Sequence, residues 1–213
     1  MPQLSTTTIP PRDQITALLL AGGRATRMGG LDKGLQTVAG VALVAHIAQR
    51  IESQVGNVWI SANRHLSDYA NYGARVLPDL TEGFAGPLAA WQTALQSCET
   101  PWILSLPCDN LDFPDDLCQR LATAITSSTQ LSYACAYDGT ELRHHPVFAL
   151  IHRRYLPALN AYLSTGQRRV FTWLQTMQAH AVLFDDNTRF ENINTLEQLQ
   201  QKNLSYATRQ HIK

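Results

Sequence analysis

The chain has 213 residues, of which 45% are hydrophobic and 16% charged, and its 17 basic and 17 acidic side chains give a formal net charge of zero. That length suits one domain with a sizeable core, and a neutral chain has no overall field to attract nucleic acid or an anionic membrane. Residues 1–14 are polar, and no stretch approaches 18 apolar residues. We therefore expect a cytoplasmic protein that binds neither nucleic acid nor membrane. A monomer is a separate expectation, which composition does not decide.

Apolar runs of strand length alternate with segments of helical spacing along the chain, which predicts an α/β fold with a largely parallel sheet. A polar tail (1–14) precedes one domain (15–203), and a second tail (204–213) follows it. The strand-like runs are Ile15–Ala21, Val58–Ser61, Arg75–Leu77, Trp102–Leu106, Leu131–Tyr137, Val147–Leu150 and His180–Phe184.

The first apolar run leads directly into a glycine-rich loop, residues 22–33, that carries Arg24, Arg27 and Lys33. Glycine lets backbone N–H groups approach phosphate oxygens, and cations compensate the phosphate charge. The loop is not a Walker loop, because Gly34 follows Lys33, and it lacks the G-x-G-x-x-G fingerprint of dinucleotide sites. It predicts a polyphosphate site of a third kind, and the alternative is a glycine-rich turn with surface cations.

Helical segments connect the strand-like runs. We expect one helix from Leu43 through Val55 ended by Gly56, and the last to open at the capping box Thr195–Gln198 and reach about Asn203. The others are Leu88–Cys98, a helix starting at Pro114, Arg154–Ser164 and Arg169–Gln178. The four cysteines, Cys98, Cys108, Cys118 and Cys135, lack C-x₂-C spacing and are expected to be reduced thiols, not zinc ligands.

Polar side chains follow each of the first four strand-like runs, and the carboxyl ends of strands are where open α/β sheets bind ligands. Asp109 comes just after a buried run, which makes it a natural Mg²⁺ ligand, and the alternative is an ordinary loop carboxylate. Asp112 is the second candidate for the metal ligand. Asp79 offers a carboxylate that can accept from the adjacent N1–H and 2-amino groups of guanine, or is a solvated loop residue. Ser61 and Asn63 follow the second run.

These residues occur in a specific order: Leu20-Ala-Gly-Gly23, Arg27-Met-Gly-Gly30, Asp32-Lys33, Ser61-Ala-Asn-Arg-His65, Asp79, Gly86-Pro87-Leu88, Pro107-Cys-Asp109 and Glu191-Asn-Ile-Asn-Thr195. Over roughly Ile15 to Gln200 the chain closely resembles the molybdenum cofactor guanylyltransferases, the MobA family. The first loop alone is shared with the wider nucleotidyltransferase superfamily, and the later motifs narrow the resemblance to this branch.

The resemblance implies a single-domain, three-layer, Rossmann-like nucleotidyltransferase fold and transfer of GMP from GTP to molybdopterin, with Mg²⁺ as cofactor and pyrophosphate as second product. The N-terminal half would bind GTP and the C-terminal half molybdopterin. Cofactor-insertion proteins and apo-molybdoenzymes are the implied partners. Ser61 departs from the family pattern, since such sequences have Asn at this position.

The implied residue roles fall into three sets. GTP would be contacted by Leu20, Ala21, Gly22, Gly23, Lys33, Ser61, Asn63, Asp79 and Asp109. Catalysis would fall to Arg27, Lys33 and Asp109, with Asp109 also holding the metal. Molybdopterin would be bound by Arg143, His145, Arg168, Arg169, Asn192 and Asn194.

Alternatives remain at this point. Asn194 could simply cap the last helix, and Arg168 and Arg169 could be a solvated helix start. A related enzyme could use CTP or a sugar phosphate, and a non-catalytic carrier could hold the pterin without forming a bond. A nicotinamide oxidoreductase is disfavoured, because the dinucleotide fingerprint is absent.

Overall fold

The structure, a computed structural model, describes residues 9–21, 32–72, 75–80 and 86–210. Its strands are β1 (Ile15–Leu20), β2 (Thr37–Val38), β3 (Val41–Ala42), β4 (Asn57–Ser61), β5 (Arg75–Leu77), β6 (Trp102–Pro107), β7 (Leu131–Tyr137), β8 (Leu142–His152) and β9 (His180–Phe184). Its α-helices are α1 (Leu43–Ile51), α2 (Leu66–Ala70), α3 (Pro87–Ser97), α4 (Leu117–Thr123), α5 (Leu156–Ser164), α6 (Val170–Thr176) and α7 (Leu196–Gln210).

Seven strands form one sheet in the order β5-β4-β1-β6-β8-β7-β9, and β8 alone among them runs against the others. The prediction of a mostly parallel central sheet is therefore confirmed. Strands β1, β4, β5 and β6 stay bonded beyond their carboxyl ends, which fixes that edge of the sheet. These bonds run from Ala21 N to Ser61 O at 2.8 Å, from Ala62 N to Leu77 O at 3.0 Å and from Cys108 N to Leu20 O at 3.2 Å.

Helices cover both faces of the sheet and make the three layers. Alternate residues of β1 face opposite sides: Leu19 packs with α1, α4 and α7, and Leu18 packs with α3, α5 and α6. Such alternation is the pleat of a strand buried on both faces, and it explains why the apolar run is continuous. None of the helices in the described ranges has the length and apolar character to span a bilayer.

Strand β8 is longer than the predicted run Val147–Leu150. Its outer part pairs with β7, with Arg143 opposite Ala136 and His145 opposite Ala134, so the polar residues before Pro146 continue the strand. The pairing shifts register between Tyr133 and Ala134. Sequence periodicity did not predict this part, because exposed polar side chains interrupt the apolar pattern. The strand continues there because β7 supplies backbone hydrogen-bond partners.

The first crossover helix ends earlier than predicted. α1 stops at Ile51, a 3-10 turn follows, and Val55 is already extended with a φ of −135°. Gly56 instead allows a close approach of two segments, because a Cβ there would lie 2.8 Å from the Cα of Asp13. Helix α2 and the two-strand hairpin β2–β3 were not predicted, because they are too short to show a period.

Two further helices differ from the prediction at their ends. α4 begins at Leu117 and not at Pro114, and the Asp115 carboxylate is held by Arg50 at 2.6 Å. α7 begins with the predicted capping box, in which Gln198 N donates to Thr195 Oγ1 and Thr195 N to Gln198 Oε1, both at 3.1 Å.

α7 runs past Asn203 to Gln210. Its continuation is held by tertiary contacts that no local pattern reveals. Asn203 Oδ1 accepts from Ala39 N in the β2–β3 hairpin at 2.8 Å, and Tyr206 packs edge-on against His46 with ring centroids 5.3 Å apart.

We expect Ser105→Ala to destabilise the fold by about 1–3 kcal/mol, because the buried indole N–H of Trp91 donates to Ser105 Oγ at 2.7 Å and would lose its partner. Urea unfolding measures this free energy. Ser53→Ala, at an exposed position, is the control. An equal stability for Ser105→Ala and the control would contradict the assigned hydrogen bond.

Candidate active site

A cleft of about 250 Å³ lies at the carboxyl edge of the sheet, where the bonded ends of β1, β4, β5 and β6 meet. Gly86 opens α3 beside it with a φ of 75°, a conformation in which glycine is strongly favoured, so that the helix N-terminus borders the cleft. The lining residues are Leu20, Ser61, Asp79, Gly86, Pro87, Ala90, Pro107, Asp109, Val147 and Asn192.

Lys33 bridges two parts of this site. Its Nζ donates to Asp109 Oδ2 at 3.0 Å and to Asn194 Oδ1 at 2.8 Å. The ammonium therefore joins the end of β6 to the segment that leads into α7. Because it has three donors and uses two of them in these bonds, it can still donate to an anion in the cleft.

Asp109 is buried, with its residue 8% exposed. Burial raises the pKa of its carboxyl group above the ordinary value, and the neighbouring Lys33 ammonium opposes that shift. The thiol of Cys108, which precedes it, also has a pKa raised well above the ordinary value by burial. Cys108 is therefore a neutral thiol and not a nucleophilic thiolate.

Asp79 is held by neutral donors. Asn63 Nδ2 donates to Asp79 Oδ2 at 2.7 Å, Asn63 Oδ1 accepts from Asp79 N at 2.8 Å, and Ser61 Oγ lies 3.5 Å from Asp79 Oδ1. Burial raises the pKa of Asp79, and the bonds from Asn63 and Ser61 oppose the shift. Each carboxylate oxygen keeps acceptor capacity for a ligand N–H group.

The segment that carries Asn192 and Asn194 is fixed against Asp109 by backbone contacts. Ile193 N donates to Asp109 O at 2.7 Å, and the buried Asn110 side chain donates to Glu191 O at 2.9 Å. The Oδ1 atom of Asn192 is buried and has no hydrogen-bond partner among the residues that the structure describes. A buried amide oxygen in a cleft wall is a candidate ligand acceptor.

The oxygen donors of the cleft fit a magnesium ion that takes few protein ligands. In the described part of the chain no three His, Cys, Asp or Glu side chains cluster as metal ligands. Mg²⁺ commonly takes one or two carboxylates and completes its coordination with water and phosphate oxygens. Asp109 provides the carboxylate, and the free amide oxygen of Asn192 lines the same cleft.

The structure brings together seven of the residues predicted to bind GTP or molybdopterin: Leu20, Lys33, Ser61, Asn63, Asp79, Asp109 and Asn192 lie in the cleft or contact its lining. Asn194 joins them through Lys33, and Thr195, not Asn194, caps α7 with its side chain. Ala21 is buried at the end of β1. Gly22, Gly23, Arg24 and Arg27 lie outside the described residues.

The remaining residues predicted to bind the pterin have other contacts. Arg143 pairs with Asp138 at 2.5 Å in the β7–β8 turn, and His145 bonds Asn187 at 2.9 Å and stacks on Phe190. Arg168 donates to backbone carbonyls at the end of α5, and Arg169 is the N-cap residue of α6. These contacts do not link the four residues to Lys33 or Asp109, and their role in binding stays a prediction.

Sequence reasoning gave no role to three supporting residues. Asp32 and Tyr69 contact the turn that carries Lys33, and Asn110 holds the segment before α7. Asp32 was recognised only as part of the Asp32-Lys33 motif and Asn110 only as a polar residue after a strand-like run, and no pattern indicated Tyr69. Asp112, weighed as a second metal ligand, is instead paired with Lys202.

The family model for the MobA-like NTP transferase domain matches residues 17–181. Curated relatives cover most of the chain. The molybdenum cofactor guanylyltransferase of Cupriavidus metallidurans is 44% identical over 190 residues, 88% of this chain and 94% of that protein. That of Bordetella pertussis is 42% identical over 191 residues, 89% of this chain and 97% of that protein.

Solved structures show the same fold at low sequence identity. Molybdopterin-guanine dinucleotide biosynthesis protein A from Archaeoglobus fulgidus has a TM-score of 0.67 at 16% identity, covering 91% of this chain and 99% of its own. A CMP:2-keto-3-deoxy-manno-octonic acid synthetase complexed with CTP has a TM-score of 0.70 at 12% identity, covering 93% of this chain and 100% of its own.

We expect Asp79→Asn to be more stable than the wild type at pH 7, with the difference shrinking as the pH falls to 4. A raised pKa means that the folded wild type binds the proton more tightly, so its stability falls as pH rises through the folded-state pKa. Asparagine does not titrate and can still accept from Asn63. Thermal unfolding across pH measures this, with the exposed Asp116→Asn as control; a difference independent of pH would contradict it.

Proposed function

The chain belongs to the MobA-like NTP transferase family, and on that premise we propose that it transfers GMP from GTP to molybdopterin. The products are molybdopterin guanine dinucleotide and pyrophosphate. The observation that carries the proposal is a cleft with two unlike carboxylates, Asp79 bonded to neutral donors and Asp109 bonded to a lysine. The first suits a base with adjacent N–H donors and the second suits a phosphate chain with its cation.

Guanine recognition is assigned to Asp79. Guanine presents N1–H and the 2-amino group side by side, and one carboxylate accepts from both, whereas adenine and cytosine offer no such pair. Asn63 bonds both the side chain and the backbone N–H of Asp79, and therefore fixes its orientation. Ser61, where the family pattern has asparagine, adds a hydroxyl close to the same carboxylate.

The phosphates of GTP are assigned to Lys33 and the glycine loop that precedes it. An oxygen of the pterin phosphate attacks the α-phosphorus of GTP, the bond to the β-phosphate oxygen breaks, and pyrophosphate leaves with that oxygen. The attacking phosphate is largely ionised near pH 7, so no general base is required. Lys33 stabilises the charge that develops on the phosphates, and Arg27 and the backbone amides of Gly22 and Gly23 are proposed to share this role.

Mg²⁺ is the proposed cofactor. Asp109 would hold it, with Asn192 Oδ1 as a further oxygen on the same wall, and the ion would supply charge neutralisation at the phosphates. The ammonium of Lys33 on Oδ2 leaves the other carboxylate oxygen of Asp109 for this contact.

The pterin is proposed to enter beside the segment that holds Asn192 and Asn194, with Arg143, His145, Arg168 and Arg169 as further candidates. Cofactor-insertion proteins and apo-molybdoenzymes are the proposed partners, and the cytoplasm is the proposed location. The contacts of Lys33 support this placement of the two substrates, because its ammonium bonds both Asp109, proposed to face GTP, and Asn194, in the segment before α7.

We expect Lys33→Ala and Asp109→Ala each to lower kcat by roughly a hundredfold or more, because each removes charge stabilisation at the reacting phosphates. Pyrophosphate release from GTP with molybdopterin is the assay, and urea unfolding reports stability separately. Lys202→Ala, which breaks another lysine-carboxylate pair, is the matched control and should keep normal turnover. Normal turnover by both site variants would overturn the assignment.

We also expect GTP, but not CTP or ATP, to raise the unfolding midpoint in the presence of Mg²⁺. A ligand at 100 times its Kd adds about 2.7 kcal/mol of stability. Asp79→Asn should reduce the shift caused by GTP, and Asp116→Asn should not. Equal shifts for GTP and CTP would contradict guanine recognition, and pterin binding without pyrophosphate release would favour a carrier.

A further inference from the structure

The short helix α2 carries a tyrosine that reaches the turn holding Lys33. Tyr69 is fully buried, and its hydroxyl donates to Asp32 Oδ1. Burial raises the pKa of Tyr69, and the nearby Asp32 carboxylate raises it further, so the hydroxyl keeps the proton that it donates. The bond joins the segment between β4 and β5 to the residue directly before Lys33.

Asp32 in turn holds the backbone of that turn. The same oxygen, Oδ1, accepts from Gly34 N at 3.2 Å, and Asp32 O accepts from Gln36 Nε2 at 3.0 Å. Gly34 rests directly on the tyrosine, because a Cβ there would lie 2.5 Å from the Tyr69 hydroxyl oxygen. Lys33 therefore lies in a 3-10 turn between Asp32 and Gly34. Tyr69 bonds Asp32, and Asp32 bonds the amide of Gly34.

We propose that Tyr69 and Asp32 are positioning residues that aim the ammonium of Lys33 between Asp109 and Asn194. This rests on the proposed function, in which Lys33 stabilises the reacting phosphates. Tyr69 is 0% exposed and does not touch a substrate, so it acts through Asp32 and the Gly34 amide. The turn consists only of Lys33–Leu35. A turn this short has few backbone hydrogen bonds of its own to hold a side chain in place.

Tyr69→Phe tests the proposal, because it removes only the hydroxyl oxygen and keeps the buried ring. We expect kcat to fall roughly tenfold with the KM for GTP nearly unchanged. A misplaced Lys33 ammonium loses mainly the stabilisation that it gives to the transition state. Tyr72→Phe is the matched control. Tyr72 lies in the turn after α2 and lines a different cavity, and its variant should keep wild-type kcat.

A double-mutant cycle separates positioning from general structural support. In the Lys33→Ala background, Tyr69→Phe should leave the residual turnover unchanged, because no ammonium remains to be positioned. A merely structural tyrosine would lower turnover by the same factor in both backgrounds, and that result would overturn the proposal.

A third readout does not depend on activity. Hydrogen exchange of the Gly34 amide should be faster in Tyr69→Phe than in the wild type or Tyr72→Phe, because the Asp32 acceptor is no longer held. Unchanged exchange and unchanged kcat in Tyr69→Phe, with Lys33→Ala impaired, would overturn the positioning role alone. Normal turnover by Lys33→Ala would overturn the role of Lys33 and the positioning role with it.

Discussion

A single ammonium group, that of Lys33, connects parts of the chain that are far apart in sequence. Asp109 is 76 residues away and Asn194 is 161 residues away, yet both side chains bond the same nitrogen. The buried Asp109 carboxylate needs this cation, because an unpaired charge in such surroundings is costly. The adjacent parallel strands β1 and β6 make the contact geometrically available, since their carboxyl ends lie side by side. The bonds from Ile193 N to Asp109 O and from the Asn110 side chain to Glu191 O hold the segment of Asn194 beside Asp109.

The two carboxylates of the cleft, the partly buried Asp79 and the buried Asp109, have different partners. Burial raises the pKa of both Asp79 and Asp109. Around Asp79 the opposing contacts are neutral amide and hydroxyl donors, whereas at Asp109 a full positive charge opposes the shift. A carboxylate bonded by neutral donors keeps its negative charge available to N–H groups, and one paired with a cation suits a region where phosphate and metal charges must balance. The two environments therefore fit the different tasks proposed for Asp79 and Asp109.

Local patterns predicted the parts of the fold that are governed by burial on both sheet faces. The run at β6 and the capping box of α7 were visible because apolar continuity and Thr-x-x-Gln spacing are local properties. The outer half of β8 and the end of α7 could not be predicted from local patterns. Backbone pairing with β7 holds the polar residues of β8, and the contact of Asn203 with Ala39 holds the end of α7. In the site, Asp79 and Asp109 could be found because they follow strands. Tyr69 could not, because its role depends on a contact with a segment 37 residues earlier.

Asn194 follows β9 in the chain and is therefore synthesised after every strand that borders the cleft. Ribosomes add roughly 5–20 residues per second, so Asp109 and Lys33 emerge on the order of ten seconds before Asn194 does. During that interval the cation and its carboxylate are present, but the segment that Asn110 and Ile193 tie to the end of β6 is still missing. The nascent polypeptide therefore adds this part of the cleft wall after the strands that border the cleft, and a product of termination before Asn192 lacks it.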